Sequence, residues 1–447
     1  MSITQRIVII GYGTAGWSAS VSVQQTSRRA EITVFEKRPY ALYHPCSLPE
    51  VIEGKFPINA IVSKAIPKSK CLRVFINTLV EEIDVESSKV VARNLKTGEK
   101  IAVEYDRLIL ALGSVPHIPS SIEIRCSEGI YSLKFIEDGV KIERASRKYS
   151  RAIVVGGGAL GIEVAYALAK KNLSVTLLEY FPHLMPSKLD RDFSKIVEKF
   201  LRDHGVEVVT GEKVVEIGGS EGDKYVATEE KVFRGDFVVA ATGFKPYIGL
   251  AERIGVKIGE IGGIAVNSKM ETSINGIYAA GDAAEIKNFL TNKPTLCFLA
   301  STAYLTGRVA GVNAAGGEEV FEGALQNWIV SLGDFVFGGV GITRERALVE
   351  GMDTVSAVVA IPDKPEYYPG ASRIKVKLVV STEGKVLGVQ AIGGRRVAEI
   401  LNMGALAIKR RMHVNELARL ETAYTPSVSS VLHPLSLAAQ MIKRKIK

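Results

Sequence analysis

The sequence predicts an α/β fold, and two matched glycine-rich loops carry most of the prediction. The first loop, residues 11–16 (GYGTAG), comes after an apolar run at residues 6–10, and the second, residues 156–161 (GGGALG), comes after a similar run at residues 151–155. A short apolar run that ends in glycine is typical of a buried parallel strand. A third observation is the tract after residue 325, where strand-like stretches precede two helices and predict an antiparallel sheet with helices on one face.

Each glycine of the first loop has its own task. Gly11 permits a tight turn, Gly13 lets the backbone approach a pyrophosphate, and Gly16 lets the following helix pack closely with its N-terminus facing the phosphates. The next strand, residues 31–35, ends at a glutamate whose carboxylate can accept hydrogen bonds from ribose hydroxyls. The candidate cofactor ligands here are Gly11, Gly13, Thr14, Ala15, Gly16, Glu36 and Lys37.

The second loop repeats this pattern, and its strand at residues 174–178 ends at Glu179. A carboxylate at this position repels a 2′-phosphate, and the adjacent Tyr180 and Phe181 supply no compensating arginine. NADH is therefore expected rather than NADPH. Two complete fingerprints imply two dinucleotide sites. The candidate ligands of the second site are Gly156, Gly158, Leu160, Gly161 and Glu179.

Composition excludes several classes of protein. A chain of 447 residues suits about three domains, and its net charge of +9 is spread along the sequence without a basic face that interleaves aromatic residues. Nucleic acid is therefore not an expected partner. Four widely spaced cysteines form neither a zinc pattern nor a disulfide framework. Since no secretory signal and no long uncharged apolar run is present, we expect a cytoplasmic enzyme without a membrane or metal partner.

Cys46 comes ten residues after Glu36, in the segment HPCSLP. If the first loop holds a flavin, this spacing makes Cys46 a candidate redox partner of the flavin. We expect it at or near the start of a helix, where backbone N–H groups favour the thiolate; the alternative is a buried structural thiol. Cys71, Cys126 and Cys297 lack such a context, and packing roles are expected for them.

Two further segments, residues 108–113 and 238–243, resemble each other and each precedes a proline. They predict a returning strand in each nucleotide domain that passes the chain to the other domain. A third segment, residues 276–283, ends in Gly281, which allows close approach, and Asp282, which can accept a hydrogen bond from a polyol chain. The alternative for this segment is an ordinary turn. The candidate ligands from the returning segments are Ala111, Gly113 and Gly243.

The order of these motifs resembles the flavin-dependent pyridine nucleotide-disulfide oxidoreductases over essentially the whole chain. A lone cysteine before Leu-Pro resembles the branch that contains coenzyme A disulfide reductase, NADH oxidase, NADH peroxidase and polysulfide reductases. The resemblance implies two Rossmann-like dinucleotide-binding domains plus an α+β C-terminal dimerisation domain. It places FAD on residues 1–118 and 245–324, NAD(P)H on residues 119–244, and the homodimer interface on residues 325–447.

The resemblance also assigns individual residues. Glu163 matches an acidic position near flavin and nicotinamide; its alternative role is a first-turn carboxylate that complements the helix dipole. Tyr367, Tyr368 and Tyr424 match tyrosines that reach the partner's active site, and with Cys46 they form the expected catalytic set. Their alternative role is interface packing with a hydrated hydroxyl.

His433, which precedes Pro434, resembles the catalytic histidine of two-cysteine reductases. It lacks the acidic residue that comes next in those enzymes, so a structural role is expected.

Some positions depart from the resembled branch. Thr14 replaces a histidine of the NADH peroxidases, which counts against a dedicated peroxidase. Gln24 and Gln25 replace arginines that grip coenzyme A phosphates, although Arg28 and Arg29 lie one turn later and offer a substitute. Reduction of a low-molecular-weight disulfide or polysulfide is therefore expected, with coenzyme A as one candidate partner.

Three functions remain open. Two-cysteine relatives place their second thiol at the position of Val51, so the other half of the redox pair must be a small thiol, a persulfide or oxygen. The first hypothesis is NAD(P)H- and FAD-dependent reduction of coenzyme A disulfide or polysulfide through Cys46. The second is an NADH oxidase with Cys46 as a sulfenic acid. The third is a reductase or binding partner of a redox carrier protein.

Overall fold

The structure, a computed structural model, describes residues 5–63 and 69–446 of the chain. Contacts between residues divide the described chain into two units, each built from separate stretches because the chain leaves a unit and later returns to it. The first unit falls within Met1–His117, Lys134–Gly139 and Gly243–Ala324, and the second within Ile118–Leu133, Val140–Thr242 and Leu325–Lys447.

Regular elements succeed one another closely through the first half of the chain. In residues 5–117 they are β1 (Arg6–Ile10), α1 (Thr14–Thr26), β2 (Glu31–Phe35), β3 (Leu42–Tyr43), α2 (Leu48–Glu53), β4 (Val62–Ser63), β5 (Leu72–Phe75), β6 (Thr78–Asp84), β7 (Lys89–Asn94), β8 (Lys100–Glu104), β9 (Arg107–Leu110) and β10 (Ser114–Pro116). In residues 118–242 they are β11 (Glu123–Ile124), β12 (Ile130–Tyr131), α3 (Ile136–Lys148), β13 (Arg151–Val155), α4 (Ala159–Lys170), β14 (Ser174–Glu179), α5 (Arg191–Asp203), β15 (Val206–Thr210), β16 (Val214–Ser220), β17 (Asp223–Thr228), β18 (Val232–Gly235) and β19 (Phe237–Ala240).

The second half continues this alternation and then changes to long antiparallel strands. In residues 243–324 the elements are β20 (Phe244–Pro246), α6 (Gly249–Arg253), β21 (Ile264–Ala265), β22 (Ile277–Ala279), β23 (Ala284–Lys287), β24 (Pro294–Thr295) and α7 (Ala300–Ala314). In residues 325–446 they are β25 (Trp328–Leu332), β26 (Phe335–Gly341), α8 (Arg344–Val349), β27 (Thr354–Pro362), β28 (Arg373–Ser381), β29 (Val386–Gly393), α9 (Val397–Lys409), α10 (Val414–Leu417) and α11 (Pro434–Lys443).

A five-stranded parallel sheet forms the centre of the first unit, in the order β22-β9-β1-β2-β5. Its central strands are apolar and buried, as expected for strands covered on both faces. Ile10 pairs with Phe35 and Leu110, and Leu110 pairs with Ala279, so four strands end at the same edge. The segments after these strands contain the first glycine loop and the predicted ligands Glu36, Lys37, Ala111, Gly113, Gly281 and Asp282, which therefore meet at one edge of the sheet.

Helices α1 and α7 pack closely enough to need glycine at their contact. A Cβ on Gly307 would overlap the carbonyl oxygen of Ala15, and a Cβ on Gly311 would overlap that of Ala19. Small residues on both helices thus bring the backbones together, and this contact holds the N-terminal turn of α1 beside the first loop.

The second unit contains another five-stranded parallel sheet, in the order β12-β19-β13-β14-β15. Val155 pairs with Leu178 and Ala240, so the second glycine loop, the end of β14 and the returning segment also share one edge. Strands β10 and β20, which come directly after the two returning segments, pair with each other as an antiparallel ribbon within the first unit.

The C-terminal part of the second unit is a five-stranded antiparallel sheet, in the order β25-β26-β29-β28-β27. Helix α9 packs on β26 and β29, and α11 packs on β27 and β28. The sequence predicts four of these strands and both helices, but β25 and the short helices α8 and α10 were not predicted. The predicted fold class is confirmed.

Candidate active site and nucleotide loops

The first glycine loop has the geometry that a pyrophosphate requires. Gly11 has a φ of +96°, and a Cβ there would overlap the carbonyl oxygen of Ala111. A Cβ on Gly16 would overlap the carbonyl oxygen of Gly11, whereas a Cβ on Gly13 would meet no atom within 4 Å. Gly11 and Gly16 therefore close the turn against the sheet and helix, and Gly13 leaves open space. This cradle fits a dinucleotide phosphate.

The residues around Gly13 complete the loop. Helix α1 begins at Thr14, and Ala15 is buried beneath the turn. A Cβ on Gly281 would lie 2.9 Å from the Cβ of Ala15, so the Gly281 backbone lies close to α1. Lys37 is exposed, and its Nζ lies 5.0 Å from the ring centroid of Tyr247.

Glu36 is 2% exposed and accepts four hydrogen bonds. Its Oε2 accepts from the backbone N–H of Tyr12 at 2.8 Å and from Arg38 Nη2 at 2.6 Å. Its Oε1 accepts from the backbone N–H of Arg38 at 2.9 Å and from Arg38 Nε at 2.7 Å. Burial opposes ionisation, but the hydrogen bonds and charge of Arg38 outweigh it and hold the pKa of Glu36 below its usual value.

Arg38 is a site residue that the sequence motifs did not predict. The dinucleotide fingerprint assigns a role to the acidic residue at the end of the second strand and none to the residue two positions later. An arginine at that spacing from a buried carboxylate is a local signal that could have identified the pair.

In the second loop, Gly156 and Gly161 repeat the constraints of Gly11 and Gly16. Gly156 has a φ of +111°, and a Cβ there would overlap the carbonyl oxygen of Ala241; a Cβ on Gly161 would overlap that of Gly156. Gly158 is open, because a Cβ there would meet no atom within 4 Å. The second loop therefore offers the same phosphate cradle, in the other unit.

Glu179 is 6% exposed and is held by backbone N–H groups. Its Oε2 accepts from Gly157 at 2.6 Å and its Oε1 from Phe181 at 2.8 Å. Burial raises the pKa of Glu179 above its usual value, although these N–H groups and His183 oppose the change. The rings of Tyr180 and Phe181 are exposed and meet edge to face at 4.9 Å.

Two predicted residues on α4 are half-buried, Leu160 and Glu163. In this helix, which the structure describes in full, the first turn contains no acidic residue, so Glu163 lies beyond the reach expected for a first-turn dipole contact. This placement removes the main support for its alternative role.

Asp282 is held by two neighbours within the first unit. Its Oδ2 accepts from Ser114 Oγ at 2.6 Å and from Lys134 Nζ at 3.0 Å, and Lys134 also contacts Ser114 Oγ. These contacts fix the carboxylate just beyond the end of β22. Gly113 and Gly243 both have positive φ and open space at the Cβ position. Lys134 was not predicted because it lies 148 residues from Asp282 and belongs to no motif.

Cys46 is exposed and lies in a 3-10 turn, Pro45–Ser47, directly before α2. The expected position near a helix start is therefore observed. Val51, where two-cysteine relatives carry their second thiol, is a buried residue of α2. Of the other cysteines, Cys297 is buried with its Sγ 3.2 Å from Thr302 Oγ1, as expected for packing.

Cys71 and Cys126 are only half-buried. No disulfide forms among the four cysteines, all of which lie within the described ranges.

The candidate tyrosines lie at the surface of the second unit. Tyr367 is 76% exposed and its ring is 5.4 Å from that of the half-buried Tyr368. Tyr424 is 48% exposed, in the irregular segment between α10 and α11. Within one chain, exposure of this kind agrees with both of their predicted roles.

His433 has a structural position, as predicted, but it does have an acidic neighbour. It is 3% exposed and caps α11, since its Nδ1 accepts the N–H of Leu435 at 3.3 Å. Its Nε2 lies 3.4 Å from Glu399 Oε1, a partner that precedes it in sequence rather than coming after it. Burial lowers the pKa of His433 despite this carboxylate. The lowered pKa favours the neutral imidazole, whose Nδ1 can accept the capping hydrogen bond.

Metal clusters and membrane-spanning helices are both absent from the described ranges. No group of three or more His, Cys, Asp or Glu side chains in residues 5–63 and 69–446 is arranged to hold a metal ion. Within the same part of the chain, no helix combines the length and the apolar character needed to span a bilayer.

Known proteins resemble the chain over nearly its full length. The profile of the pyridine nucleotide-disulphide oxidoreductases matches residues 5–307, and that of their dimerisation domain matches residues 329–435. An NADH oxidase of Methanocaldococcus jannaschii is 36% identical over 451 residues, with 99% of each chain covered. A CoA-dependent NAD(P)H sulfur oxidoreductase of Pyrococcus furiosus is 34% identical over 445 residues, with 98% of this chain and 99% of the relative covered.

A solved structure has the same fold. An NAD-dependent persulfide reductase from A. fulgidus superposes with a TM-score of 0.92 at 32% identity, covering 98% of this chain and 83% of that one. The resemblance inferred from the motifs is thereby confirmed. The chain belongs to the pyridine nucleotide-disulphide oxidoreductases, enzymes that use FAD and NAD(P)H, and it includes their dimerisation domain.

Proposed function

We propose that this enzyme passes electrons from NADH through FAD to Cys46 and from there to a small disulfide, either coenzyme A disulfide or polysulfide. One observation carries the proposal: Cys46 is exposed beside the start of α2, while the position of a second thiol is the buried Val51. In two-cysteine relatives, the second thiol lies at the position that a valine occupies here. An exposed thiol without that neighbouring cysteine is suited to an external sulfur substrate.

The relatives support this class of substrate. The protein of Pyrococcus furiosus is described as a CoA-dependent sulfur oxidoreductase, and a relative in Pyrococcus horikoshii, 32% identical over 448 residues, is described as a coenzyme A polysulfide/persulfide reductase. We extend coenzyme A to this chain as a substrate or cofactor. Since Gln24 and Gln25 replace the arginines that grip the coenzyme, the chain must bind it through other residues.

We assign one nucleotide to each parallel sheet, at the edge where its glycine loop lies. Residues 1–118 and 245–324 are proposed to bind FAD and residues 119–244 NAD(P)H, with residues 325–447 forming the dimer interface. The FAD ligands on this assignment are Gly11, Gly13, Thr14, Ala15, Gly16, Glu36, Lys37, Ala111, Gly113, Gly281 and Asp282. The NADH ligands are Gly156, Gly158, Leu160, Gly161, Glu163, Glu179 and Gly243.

NADH is favoured over NADPH because of the surroundings of Glu179. Its carboxylate is proposed to face the ribose, and the two following residues, Tyr180 and Phe181, are uncharged. A 2′-phosphate would meet a carboxylate without a nearby cation on these residues, whereas two ribose hydroxyls can donate to the remaining acceptor sites.

The chemistry at sulfur follows from the exposed thiol. FAD, when bound, accepts a hydride from the nicotinamide and supplies two electrons to sulfur. The Cys46 thiolate attacks one sulfur of the substrate, forming a mixed disulfide and releasing the other half as a thiolate. Two electrons then cleave the mixed disulfide, which regenerates the Cys46 thiolate and releases the second thiolate. Each substrate disulfide thus consumes one hydride, and the two released thiolates leave as thiols after they take up the proton of that hydride and one proton from solvent.

A homodimer is proposed from the dimerisation domain. In such a dimer, Tyr367, Tyr368 and Tyr424 of one chain would reach the site around Cys46 of its partner, where a phenol can donate a hydrogen bond to the departing sulfur.

An NADH oxidase is the second candidate function, favoured because the relative of Methanocaldococcus jannaschii carries that description at 36% identity. In this case oxygen is the electron acceptor and Cys46 cycles through a sulfenic acid.

One experiment distinguishes the two functions. Purified enzyme is assayed for NADH consumption with coenzyme A disulfide, with polysulfide and with oxygen, and Cys46→Ser is compared with the control Cys71→Ser. We expect Cys46→Ser to lose about a hundredfold or more of the sulfur-dependent rate while keeping its flavin, because the nucleophile is removed. The control should keep full activity. Full disulfide reduction by Cys46→Ser would refute the proposal, and oxygen uptake that accounts for all NADH turnover would favour the oxidase.

A further inference from the structure

The acceptor sites of Glu36 are all occupied within the protein. A carboxylate offers about four lone-pair sites, and four donors reach Glu36 at 2.6 to 2.9 Å. Two of the donors are the backbone N–H groups of Tyr12 and Arg38, and two are the Nε and Nη2 atoms of the Arg38 side chain. The proposed function requires the same carboxylate to accept the ribose hydroxyls of FAD.

Only the side-chain donors can leave. The N–H of Tyr12 belongs to the closed glycine loop, and the backbone of Arg38 is fixed because its carbonyl oxygen accepts the N–H of Asn77 at 2.8 Å. The guanidinium is attached by a flexible side chain that is 18% exposed, so it has a route to solvent. Ribose hydroxyls would therefore compete with the guanidinium and not with the backbone.

We propose that Arg38 is a placeholder for the adenosine ribose of FAD. It stabilises the cofactor-free protein by neutralising the buried carboxylate of Glu36, and the ribose hydroxyls displace it when the cofactor binds. This inference rests on the proposed assignment of FAD to the first glycine loop.

Two aromatic rings already contact the guanidinium where it pairs with Glu36. The Cζ atom of Arg38 lies 4.9 Å from the ring centroid of Tyr43 and 5.7 Å from that of Tyr40. These rings meet edge to face at 5.2 Å, and the Tyr43 hydroxyl donates to the carbonyl oxygen of Lys134 at 2.9 Å. The tyrosines therefore form a held aromatic surface on which a displaced cation retains favourable contacts.

The exchange has opposite effects on the two states of the protein. Removal of the guanidinium leaves Glu36 buried without its cation, which destabilises the cofactor-free form. The same removal frees two acceptor sites for the ribose, so the cofactor no longer has to displace a competitor. We therefore expect Arg38→Ala to lower the melting temperature of the apoprotein and to tighten FAD binding by about tenfold, the equivalent of one hydrogen bond.

Arg151→Ala provides a matched control. Arg151 binds Asp236 through its backbone N–H at 2.8 Å and through Nε and Nη2 at 3.0 and 2.7 Å, and Asp236 is 6% exposed. This pair has the same chemistry as Arg38 with Glu36, and it lies in the other unit of the chain. Its loss should lower the melting temperature without changing FAD affinity.

The test uses flavin-free full-length protein and two probes, FAD and FMN, which lacks the adenosine. Melting temperatures and dissociation constants from flavin fluorescence are compared for wild type, Arg38→Ala, Arg38→Lys and Arg151→Ala. Tighter FAD binding by Arg38→Ala, with unchanged FMN binding, supports the placeholder. Unchanged or weaker FAD binding overturns it.

If Arg38→Ala fails to fold, Arg38→Lys decides the question, because a lysine cannot form the bidentate pair and should also bind FAD more tightly than wild type. Equal or weaker FAD binding by Arg38→Lys would then overturn the placeholder. Failure of the wild-type apoprotein to bind FAD would instead refute the proposed function, so the two failures are distinguishable.

Discussion

The two glycine loops share one backbone design but differ in their surroundings. In both loops the first and last glycines are required by carbonyl oxygens, and the middle glycine faces open space. In both, a buried glutamate at the end of the next strand binds back to the loop. The first glutamate has an arginine two residues later, whereas the second has the uncharged Phe181.

The residue after the first glycine of each loop also differs. Tyr12 is 1% exposed and contributes to the core of the first unit. At the equivalent Gly157, a Cβ would lie 2.5 Å from Leu184 Cδ2 and 2.8 Å from Glu179 Oε2. The second loop therefore holds its glutamate closer to the backbone, where a side chain would displace it.

These differences give the two carboxylates opposite properties. The pKa of Glu36 is lowered because Arg38 outweighs burial, and the pKa of Glu179 is raised because burial dominates. The four donors on Glu36 fill its acceptor sites, whereas Glu179 is bound by backbone N–H groups alone and keeps acceptor capacity. A carboxylate with open sites suits a nucleotide that binds and leaves in every turnover. A carboxylate with an internal cation stays neutralised while no cofactor is bound, as the placeholder proposal requires.

The largest expected effect comes from the shared design. In Gly161→Ala, the new Cβ would overlap the carbonyl oxygen of Gly156, so helix α4 must shift. We expect the second unit to lose about 3 kcal/mol of stability or to fail to fold. The NADH titration should then show no saturable binding. Gly249→Ala is the control, since a Cβ there meets no atom within 4 Å. Thermal melting and NADH titration test this, and normal NADH binding by Gly161→Ala would show that the loop tolerates the shift.

A second prediction introduces the arginine that follows the first glutamate at the matching position after the second glutamate. Phe181→Arg gives the second glutamate a cation at the spacing of Arg38, on a side chain that is 48% exposed. The arginine should occupy the acceptor sites of Glu179 and attract a 2′-phosphate, so the ratio of kcat/KM for NADH to that for NADPH should fall by about tenfold or more. Phe181→Leu should leave the ratio unchanged. An unchanged ratio in Phe181→Arg would mean that this position does not contact the ribose.

The smallest expected effect is a pH dependence of NADH binding. Ribose hydroxyls need an ionised acceptor, and the pKa of Glu179 is raised above 4.5, so NADH affinity should fall as pH decreases through that raised pKa. FAD retention should persist to lower pH, because the pKa of Glu36 is shifted below 4.5. Fluorescence titration of NADH between about pH 5 and 8 measures the first effect. The dependence should vanish in Glu179→Gln, and its persistence there would assign it to another group.

Local spacing was enough to predict several features of this protein. The glycine loops, the glutamates after each second strand, and the turn that carries Cys46 all depend on residues close together in sequence. The long antiparallel strands β26 to β29 were likewise predicted. Strand β25, which is joined to β26 by a two-residue turn, was not predicted.

Only the tertiary structure decided which distant groups meet. Lys134 reaches Asp282 across 148 residues, and Glu399 from α9 approaches His433 at the start of α11. No local pattern encodes such pairs, because they arise when separate strands and helices pack at one edge or face. The sequence by itself determined the two glycine loops with their acidic partners and the single candidate redox thiol. The packing around Glu36 and Glu179 decided that the first carboxylate has all its acceptor sites occupied and that the second keeps acceptor capacity. The reason is that the burial of a carboxylate and the charges around it depend on its neighbours rather than on the motif.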